Sequence, residues 1–142
     1  MELTPDVAAR LRERAAIQVW LTTSTNDAVV SFDDVARLAG LEPLGRAWVE
    51  VDAARARTFL AGLLHRDLAY KSEVMPSSTA DWLAGEFLGA FGRYGVRVAT
   101  NSKDLPHEFP FSWTPATDYT FDAGIVVVGQ SSCGLYWVAD ED

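Results

Sequence analysis

The chain has 142 residues, a length typical of one domain with its own hydrophobic core. Hydrophobic residues make up 49% and charged residues 23%, a composition that excludes a disordered or collagen-like chain. The net charge is −8, and residues 71–142, with 4 basic and 10 acidic side chains, hold most of it, because residues 1–70 hold 8 and 10. This acidic half disfavours coating of nucleic acid and favours attraction to a basic partner.

The first predicted element is a helix that begins at Pro5 with Thr4 as its N-cap. Apolar residues continue at helical spacing, so we expect this helix to extend as far as Trp20. The residues that carry this pattern are Val7, Leu11, Ala15, Val19 and Trp20. The polar stretch 22–27 is predicted to be the loop that ends the helix.

Two further helices are predicted from their first turns. Ser31 and Asp34 have the spacing of a capping box, and the helix that they start is expected to end at Gly40. Asp52 is the expected N-cap of a third helix, with Ala56, Phe59, Leu60, Leu63 and Leu64 on one side. Residues 41–45 are expected to form a turn, 48–51 a short strand or a lead-in to the third helix, and 68–74 an extended segment.

The second half begins with a fourth helix, for which Thr79 is the predicted N-cap and Gly92 lies beyond the end. Alternating apolar residues then predict a strand from Tyr94 to about Asn101, and three prolines predict a loop or an interrupted edge strand over residues 102–118. Tyr119–Val128 is the clearest strand, and residues 129–134 form the turn to a return strand at 135–138.

These elements predict an α+β fold, since they lack the regular alternation of a doubly wound parallel sheet. We expect a single domain over residues 1–142, with a helical half at about 1–75 and a mixed half at about 76–142. About four helices would pack on a small, mainly antiparallel sheet that ends in a C-terminal β-hairpin.

Motifs for catalysis are weak. Gly129 and Gly134 have the spacing of a phosphate-binding loop, but Leu135 and Tyr136 stand where the motif needs Lys and Ser or Thr, so a hairpin turn is the better interpretation. His65, His107 and Cys133 lack paired-ligand spacing, so no metal and no cofactor is predicted. Cys133 is expected to be passive and His65 to cap a helix end.

Two alternatives to protein binding remain open. The order of three helices followed by an extended segment resembles a winged helix, with Arg55 and Arg57 on the would-be recognition helix and Arg46 just ahead of it. Glu50 and Asp52 oppose DNA there, so nucleic acid is not the favoured partner. A small enzyme is the second alternative, with His107 and Glu108 as its acid/base pair.

The segment 106–121 is the most distinctive feature of the sequence. Phe109, Phe111 and Trp113 alternate with other residues, so an extended chain would place all three rings on one side. They could cover the sheet or form a recognition surface, because aromatic residues are enriched at interfaces. The acids that accompany them in the sequence are Asp118, Asp122, Asp140 and Glu141.

We therefore expect a non-enzymatic, acidic protein-binding domain, and most concretely an immunity or inhibitor protein that masks the basic surface of a toxin or nuclease. Its predicted contact residues are Phe109, Phe111, Trp113, Asp118, Asp122, Asp140 and Glu141. Cys133 is the only cysteine, which excludes an intramolecular disulfide, and the N-terminus lacks the pattern of a signal peptide. A soluble cytoplasmic protein without a membrane partner is expected.

Overall fold

The computed structural model describes residues 2–26 and 30–141, which form four α-helices, a short 3₁₀ helix and a five-stranded sheet. In chain order the elements are α1 (Pro5–Arg12), β1 (Gln18–Thr25), α2 (Phe32–Leu38), the 3₁₀ helix (Gly45–Ala47), β2 (Val49–Val51), α3 (Ala53–His65), α4 (Ser77–Gly89), β3 (Arg97–Thr100), β4 (Phe121–Val128) and β5 (Ser132–Asp140). The predicted α+β fold is confirmed.

All neighbouring strands of the sheet are antiparallel, in the order β1-β5-β4-β3-β2. The predicted C-terminal hairpin is β4 and β5, joined by residues 129–131. Strand β5 comes late in the chain and yet lies inside the sheet, between β4 and β1. The first half of the chain therefore supplies both edge strands, β1 and β2, in addition to three helices.

Each face of the sheet is covered by helices. Helices α1, α3 and α4 lie on the first face, where the buried core includes Leu11, Phe59, Leu63, Phe87, Ile125 and Tyr136. Helix α2 lies on the second face with Val35, Ala36, Val126, Leu135 and Trp137. The alternation of β4 and β5 explains this division, because successive side chains of a strand point to opposite faces.

Three of the predicted helix starts are confirmed in residue and geometry. Thr4 Oγ1 accepts a hydrogen bond from Val7 N at 3.3 Å. Ser31 and Asp34 form the predicted capping box, with N–O distances of 3.0 and 3.1 Å. Asp52 Oδ1 accepts from Arg55 N at 2.8 Å at the start of α3.

The prediction of a first helix extending to Trp20 is wrong. Helix α1 ends at Arg12, and the residues assigned to its continuation and to the following loop form β1. This strand pairs residue for residue with β5, from Gln18 opposite Ala139 to Thr25 opposite Ser132. The sequence of β1 is rich in Val, Trp, Leu and Thr, and most of these residue types favour a half-buried strand. Asp27, in the predicted loop 22–27, lies outside the described residues.

Other helix and strand boundaries differ from the predicted ones at positions where proline, glycine or tertiary contacts decide the conformation. Helix α4 begins at Ser77 directly after Pro76, so Thr79 lies inside the helix and does not cap it. Residues 68–70 form a turn and not an extended segment. Strand β3 begins at Arg97, since Gly92 and Gly95 have positive φ angles of 102° and 65°. Tyr119 precedes β4, which starts at Phe121.

Within the part of the chain that the structure describes, no helix is long and apolar enough to cross a lipid bilayer.

Candidate functional site

Two long connections lie at the end of the sheet where β3 finishes, β4 begins and β5 finishes. We call this the loop end. The first connection, residues 66–76, joins α3 to α4 and is named the helix connection. The second, residues 101–120, joins β3 to β4 and is named the long loop. The aromatic residues singled out in the sequence belong to the long loop.

A buried ion pair fixes the helix connection to the sheet. Arg14 Nη1 lies 2.6 Å from Asp140 Oδ1, and the two residues are only 2% and 5% exposed. The same guanidinium donates to Leu63 O at 2.9 and 3.1 Å and to Arg66 O at 2.9 Å. Asp140 Oδ2 accepts from Leu68 N at 2.8 Å. Asp140 is thus an internal anchor and does not lie on a contact surface, which corrects the sequence expectation.

Asp122 has a corresponding internal position under the long loop. Its carboxylate is fully buried and accepts hydrogen bonds from Ala116 N at 3.0 Å, Thr117 N at 3.2 Å and Thr117 Oγ1 at 2.8 Å. Trp137 Nε1 donates to the same carboxylate at 3.0 Å. A buried carboxylate needs such donors, because an unpaired one would be strongly destabilising. Asp122 therefore cannot contact a partner, contrary to expectation.

The long loop is held at its base by a buried amide. Asn101 Nδ2 donates to Thr114 O at 2.9 Å and to Asp122 O at 3.1 Å, while Asn101 O accepts from Thr114 N at 2.8 Å. Further along the loop, Asp104 Oδ2 accepts from Ser112 N and Ser112 Oγ, both at 2.9 Å. These two donors hold the pKa of Asp104 below its ordinary value. The loop is closed on itself by these bonds.

Lys71 joins the two connections and is not among the site residues predicted from the sequence. Its Nζ donates to Pro106 O at 2.9 Å and lies 5.1 Å from the centre of the Phe111 ring. Its backbone φ is 60°, a left-handed conformation that is uncommon for a residue other than glycine. Burial lowers the pKa of the Lys71 ammonium group. The only sequence signal was the rarity of lysine, of which the chain has two.

The three rings that were predicted to share one side, those of Phe109, Phe111 and Trp113, do not do so. Phe111 stacks on Trp113 at 5.6 Å with an interplanar angle of 18°, and Trp113 contacts Phe121 at 5.5 Å. Phe111 also packs against Phe59 of α3 at 6.5 Å. Phe109, in contrast, is 93% exposed, because residues 106–110 form a turn and bends and not an extended strand. Two rings thus support the loop while the third projects into solvent.

The solvent-facing part of the loop end combines aromatic and acidic side chains. Tyr70 of the helix connection is 68% exposed, and Glu108, Asp118 and Glu141 are exposed near Phe109 in sequence or at the end of β5. Glu141 Oε1 accepts from Thr120 N at 2.8 Å, and the donors of Thr120 lower the pKa of Glu141. Of the seven predicted contact residues, Phe109, Asp118 and Glu141 are exposed, and Phe111 and Trp113 are half-buried.

The histidines and the cysteine do not form a common site. His107 and His65 line a shallow pocket of about 300 Å³ with Asp81, while Cys133 is buried in the core on the second face. Burial raises the pKa of the Cys133 thiol. His65 Nδ1 donates to Met75 O at 2.8 Å. Among the described residues no three His, Cys, Asp or Glu side chains could hold a metal ion.

The structure does not support the residue sets predicted for an enzyme or for a winged helix. Glu108 Oε1 accepts from Leu105 N at 3.0 Å, and no hydrogen bond joins His107 to Glu108 in residues 2–26 and 30–141. The element order is not that of a winged helix, since α3 is followed by α4 and not by the β-hairpin that forms the wing. Arg57 of the would-be recognition helix pairs with Asp81 at 3.0 Å.

Arg46 and Arg55 lie near a third cation. Arg55 Nη2 donates to Lys103 O at 2.7 Å. Arg46 and Lys103 both line an open groove of about 480 Å³ whose aromatic walls are Trp48 and Trp113. The carboxylate of Asp104 lines the same groove.

Comparison of this chain with protein-family models, with curated proteins and with solved structures finds no match. A proposal for its function therefore depends on the geometry and charge of the loop end.

Proposed function

We propose that this chain is a protein-binding module of the immunity or inhibitor type, which masks the basic surface of a toxin or nuclease in the cytoplasm. The loop end is the proposed docking surface. The observation that carries the proposal is Phe109, an aromatic side chain that is 93% exposed on a loop tied down on both sides of it.

A fixed, exposed aromatic ring is suited to binding for two reasons: it offers a large apolar surface for burial, and it loses little conformational entropy when it is bound. Burying such a side chain removes roughly 150 to 250 Å² of surface from water. Because the bonds of Asp104 and Lys71 hold the loop before the partner arrives, little conformational entropy remains to be lost on binding. Tyr70, on the adjoining helix connection, offers a second aromatic contact with a polar tip.

Charge supports a basic partner in preference to an acidic one. Glu108, Asp118 and Glu141 are exposed around the loop end, and the whole chain carries a net charge of −8. Carboxylates at the rim of an interface accelerate encounter with a cationic surface and disfavour anionic competitors. The aromatic side chains would then supply the affinity, while the acids would select the class of partner.

The aromatic contact is tested by Phe109→Ala against a panel of purified basic nucleases and toxins that includes the product of the neighbouring reading frame. Tyr94→Ala is the matched control, since Tyr94 is 79% exposed but lies outside the loop end, between α4 and β3. We expect Phe109→Ala to weaken binding by about tenfold or more, mainly through faster dissociation. Tyr94→Ala is expected to leave it unchanged. Equal loss in both variants, or no binding by any member of the panel, would contradict the proposal.

The electrostatic part is tested with the same panel by reversing single charges. Asp118→Lys changes the net charge by as much as Glu86→Lys on α4, but only Asp118 lies at the loop end. We expect Asp118→Lys to slow association several-fold at low salt and the difference to vanish at high salt. Association that is equally slowed by Glu86→Lys would show that total charge, and not the loop end, steers the partner.

DNA binding is a second candidate function because Arg46, Arg55 and Lys103 lie close together beside Trp48 and Trp113. Contacts with phosphate give binding constants that fall steeply with salt concentration. A filter-binding titration on duplex DNA at several salt concentrations separates the two functions. Binding with a steep salt slope that Lys103→Ala reduces would favour DNA, and no binding at low salt would exclude it.

A further inference from the structure

Strand β1 forms one edge of the sheet and is paired on one side only. Its eight residues, Gln18–Thr25, are matched in register with β5, and the sheet order places no strand beyond it. Among residues 2–26 and 30–141, no backbone hydrogen bond reaches the outer side of β1 from another segment. The opposite edge of the sheet is less open to pairing with a further strand. Strand β2 has only three residues, and its Glu50 forms an ion pair with Arg97 at 2.7 Å.

The alternation of hydrogen bonds between β1 and β5 shows which backbone groups of β1 have no partner in the sheet. Asn26 N donates to Ser131 O at 3.0 Å, in the same register as the strand, so even-numbered residues bond to β5. The N–H and C=O groups of Val19, Leu21, Thr23 and Thr25 therefore point outward. Arg12 Nη2 lies 3.4 Å from Leu21 O, as expected for an outward carbonyl. A carbonyl oxygen has a second lone pair, so this contact leaves Leu21 able to accept another bond.

The β1 edge lacks the features by which edge strands usually avoid pairing. Natural proteins place Pro, Lys or other charged residues on such strands. Strand β1 contains none of them, and Val19, Trp20 and Leu21 are each half-buried. A charged side chain from outside the strand lies at this edge, that of Arg12 from α1, which contacts Leu21 O. Both the open amides and the uncharged side chains fit an extended, uncharged polypeptide strand.

We propose that a second copy of this chain pairs with β1 in the antiparallel direction, about a two-fold axis at Thr22. In this register Leu21 lies opposite Thr23 of the second copy, and Trp20 lies opposite Ser24 of the second copy. The two Thr22 side chains meet at the axis, a cross-strand pairing that is favourable in sheets. No like charges face each other within the paired strands, because β1 carries no charge. The Arg12 guanidinium of each copy lies at Leu21 O near the axis, and this like-charge pair opposes the dimer. The result is one continuous ten-stranded antiparallel sheet.

The net charge of −8 opposes this pairing over a longer distance. Salt screens such repulsion, with a Debye length of about 8 Å at physiological ionic strength. The dimer is therefore expected to become tighter as salt is added, which is opposite to the salt dependence proposed for the basic partner.

The test is sedimentation equilibrium of the full chain and of Thr23→Pro, with Thr23→Val as the matched control. Proline removes the outward N–H of Thr23, whereas valine keeps it and retains a β-branched side chain. We expect a dissociation constant on the order of 10 µM for the natural chain and for Thr23→Val. Thr23→Pro is expected to weaken association about tenfold or more, with an unchanged circular dichroism spectrum.

A natural chain that stays monomeric up to about 200 µM would overturn the proposal, since the expected constant lies well below that concentration. Equal association of Thr23→Pro and Thr23→Val would overturn it as well. Neither outcome bears on the docking of a basic partner at Phe109, because that proposal is measured with different variants and a different probe.

The register is tested by mild oxidation of Thr22→Cys and Thr25→Cys. Residues at a non-hydrogen-bonded antiparallel position have Cα atoms about 4.5 Å apart, a distance that a disulfide can span. Two Thr25 residues would be separated by about 20 Å along the strand direction. Thr25 lies opposite Ser132 and not opposite Cys133, so the natural cysteine is not its cross-strand partner. We expect a covalent dimer of Thr22→Cys alone, with the buried Cys133 of the natural chain as the unreactive control. Cross-linking of Thr25→Cys in preference would overturn the register centred on Thr22.

Discussion

The two ends of the sheet are built in different ways. At the hairpin end, β4 and β5 are joined by three residues, and Gly129 N donates to Ser132 O at 2.8 Å. Backbone hydrogen bonds and close packing dominate there, with the Phe91 ring lying directly over Gly134 and one side-chain bond from Asn26 Nδ2 to Gly129 O at 2.8 Å. At the loop end, the connections are long and depend on buried polar side chains, namely Arg14, Asn101, Asp122 and Asp140.

This difference shows how an irregular surface is kept in one conformation. A long connection cannot satisfy all of its own backbone groups, so polar side chains from the strands must do so. Once held in this way, the connection can expose Phe109 without losing its shape. The hairpin end uses one such side chain, Asn26, and its turn is short, whereas the loop end exposes the surface that we propose for recognition.

The largest predicted effect is that of Arg14→Met at the loop end. It would leave the buried Asp140 carboxylate without its cation, and Leu63 O and Arg66 O without their donor. Removing one partner of a buried pair lowers the free energy of unfolding by about 3 to 5 kcal/mol. Urea denaturation followed by tryptophan fluorescence measures this change.

Arg57→Met is the control for that experiment because it breaks an exposed pair with Asp81, whose side chains are 50% and 60% exposed. Solvent-exposed pairs contribute less than about 1 kcal/mol. A similar loss in both variants would show that Arg14 contributes through its bulk or its total charge and not through the buried pair.

An intermediate effect is predicted for Gly134→Ala at the hairpin end. A Cβ at Gly134 would collide with the Phe91 ring and lie 3.0 Å from Thr22 O. Such overpacking lowers the free energy of unfolding by about 1 to 3 kcal/mol. Gly89→Ala in α4 is the control, because its Cβ would meet nothing within 4 Å and alanine favours helix. Chemical denaturation should give opposite signs for the two variants, and a stabilising Gly134→Ala would contradict the packing described above.

The smallest predicted effect on the free energy of unfolding is that of pH. Hydrogen bonds from Ser112 and from Thr120 lower the pKa of Asp104 and Glu141 below their ordinary values of 3.8 and 4.5. The unfolded chain then binds more protons in acid, so the stabilisation is complete above about pH 4.5 and is lost as pH falls through the folded-state pKa values. Unfolding free energies between about pH 7 and pH 3 should decrease less for Asp104→Asn than for the natural chain. Identical curves would show that the Asp104–Ser112 bonds do not contribute.

The sequence predicted those elements whose signals are local. Capping residues located the starts of α1, α2 and α3, and alternation with a glycine-rich turn located the hairpin of β4 and β5. The strand β1 was missed because Val19 and Trp20 fit helical spacing as well as strand alternation. Only pairing with β5, more than a hundred residues later, decides between the two conformations.

The candidate site was predicted in part for the same reason. Phe109, Asp118 and Glu141 are exposed as expected, because an aromatic residue between turn residues and an acid near a strand end are local features. Asp122 and Asp140 were expected at the surface since carboxylates are rarely buried. Their burial depends on partners that sequence spacing does not reveal, such as Arg14, which lies 126 residues from Asp140.

The position of β5 inside the sheet has a consequence for biosynthesis. Strand β1 leaves the ribosome early, but its whole ladder is formed with residues 132–139. The N-terminal strand must therefore wait, unpaired on both sides, until the last strand has been translated, and the sheet can close only after that. Closing contacts so distant in sequence is intrinsically slow, so nascent chains stalled before Ser132 would expose β1 to chaperones or to other chains.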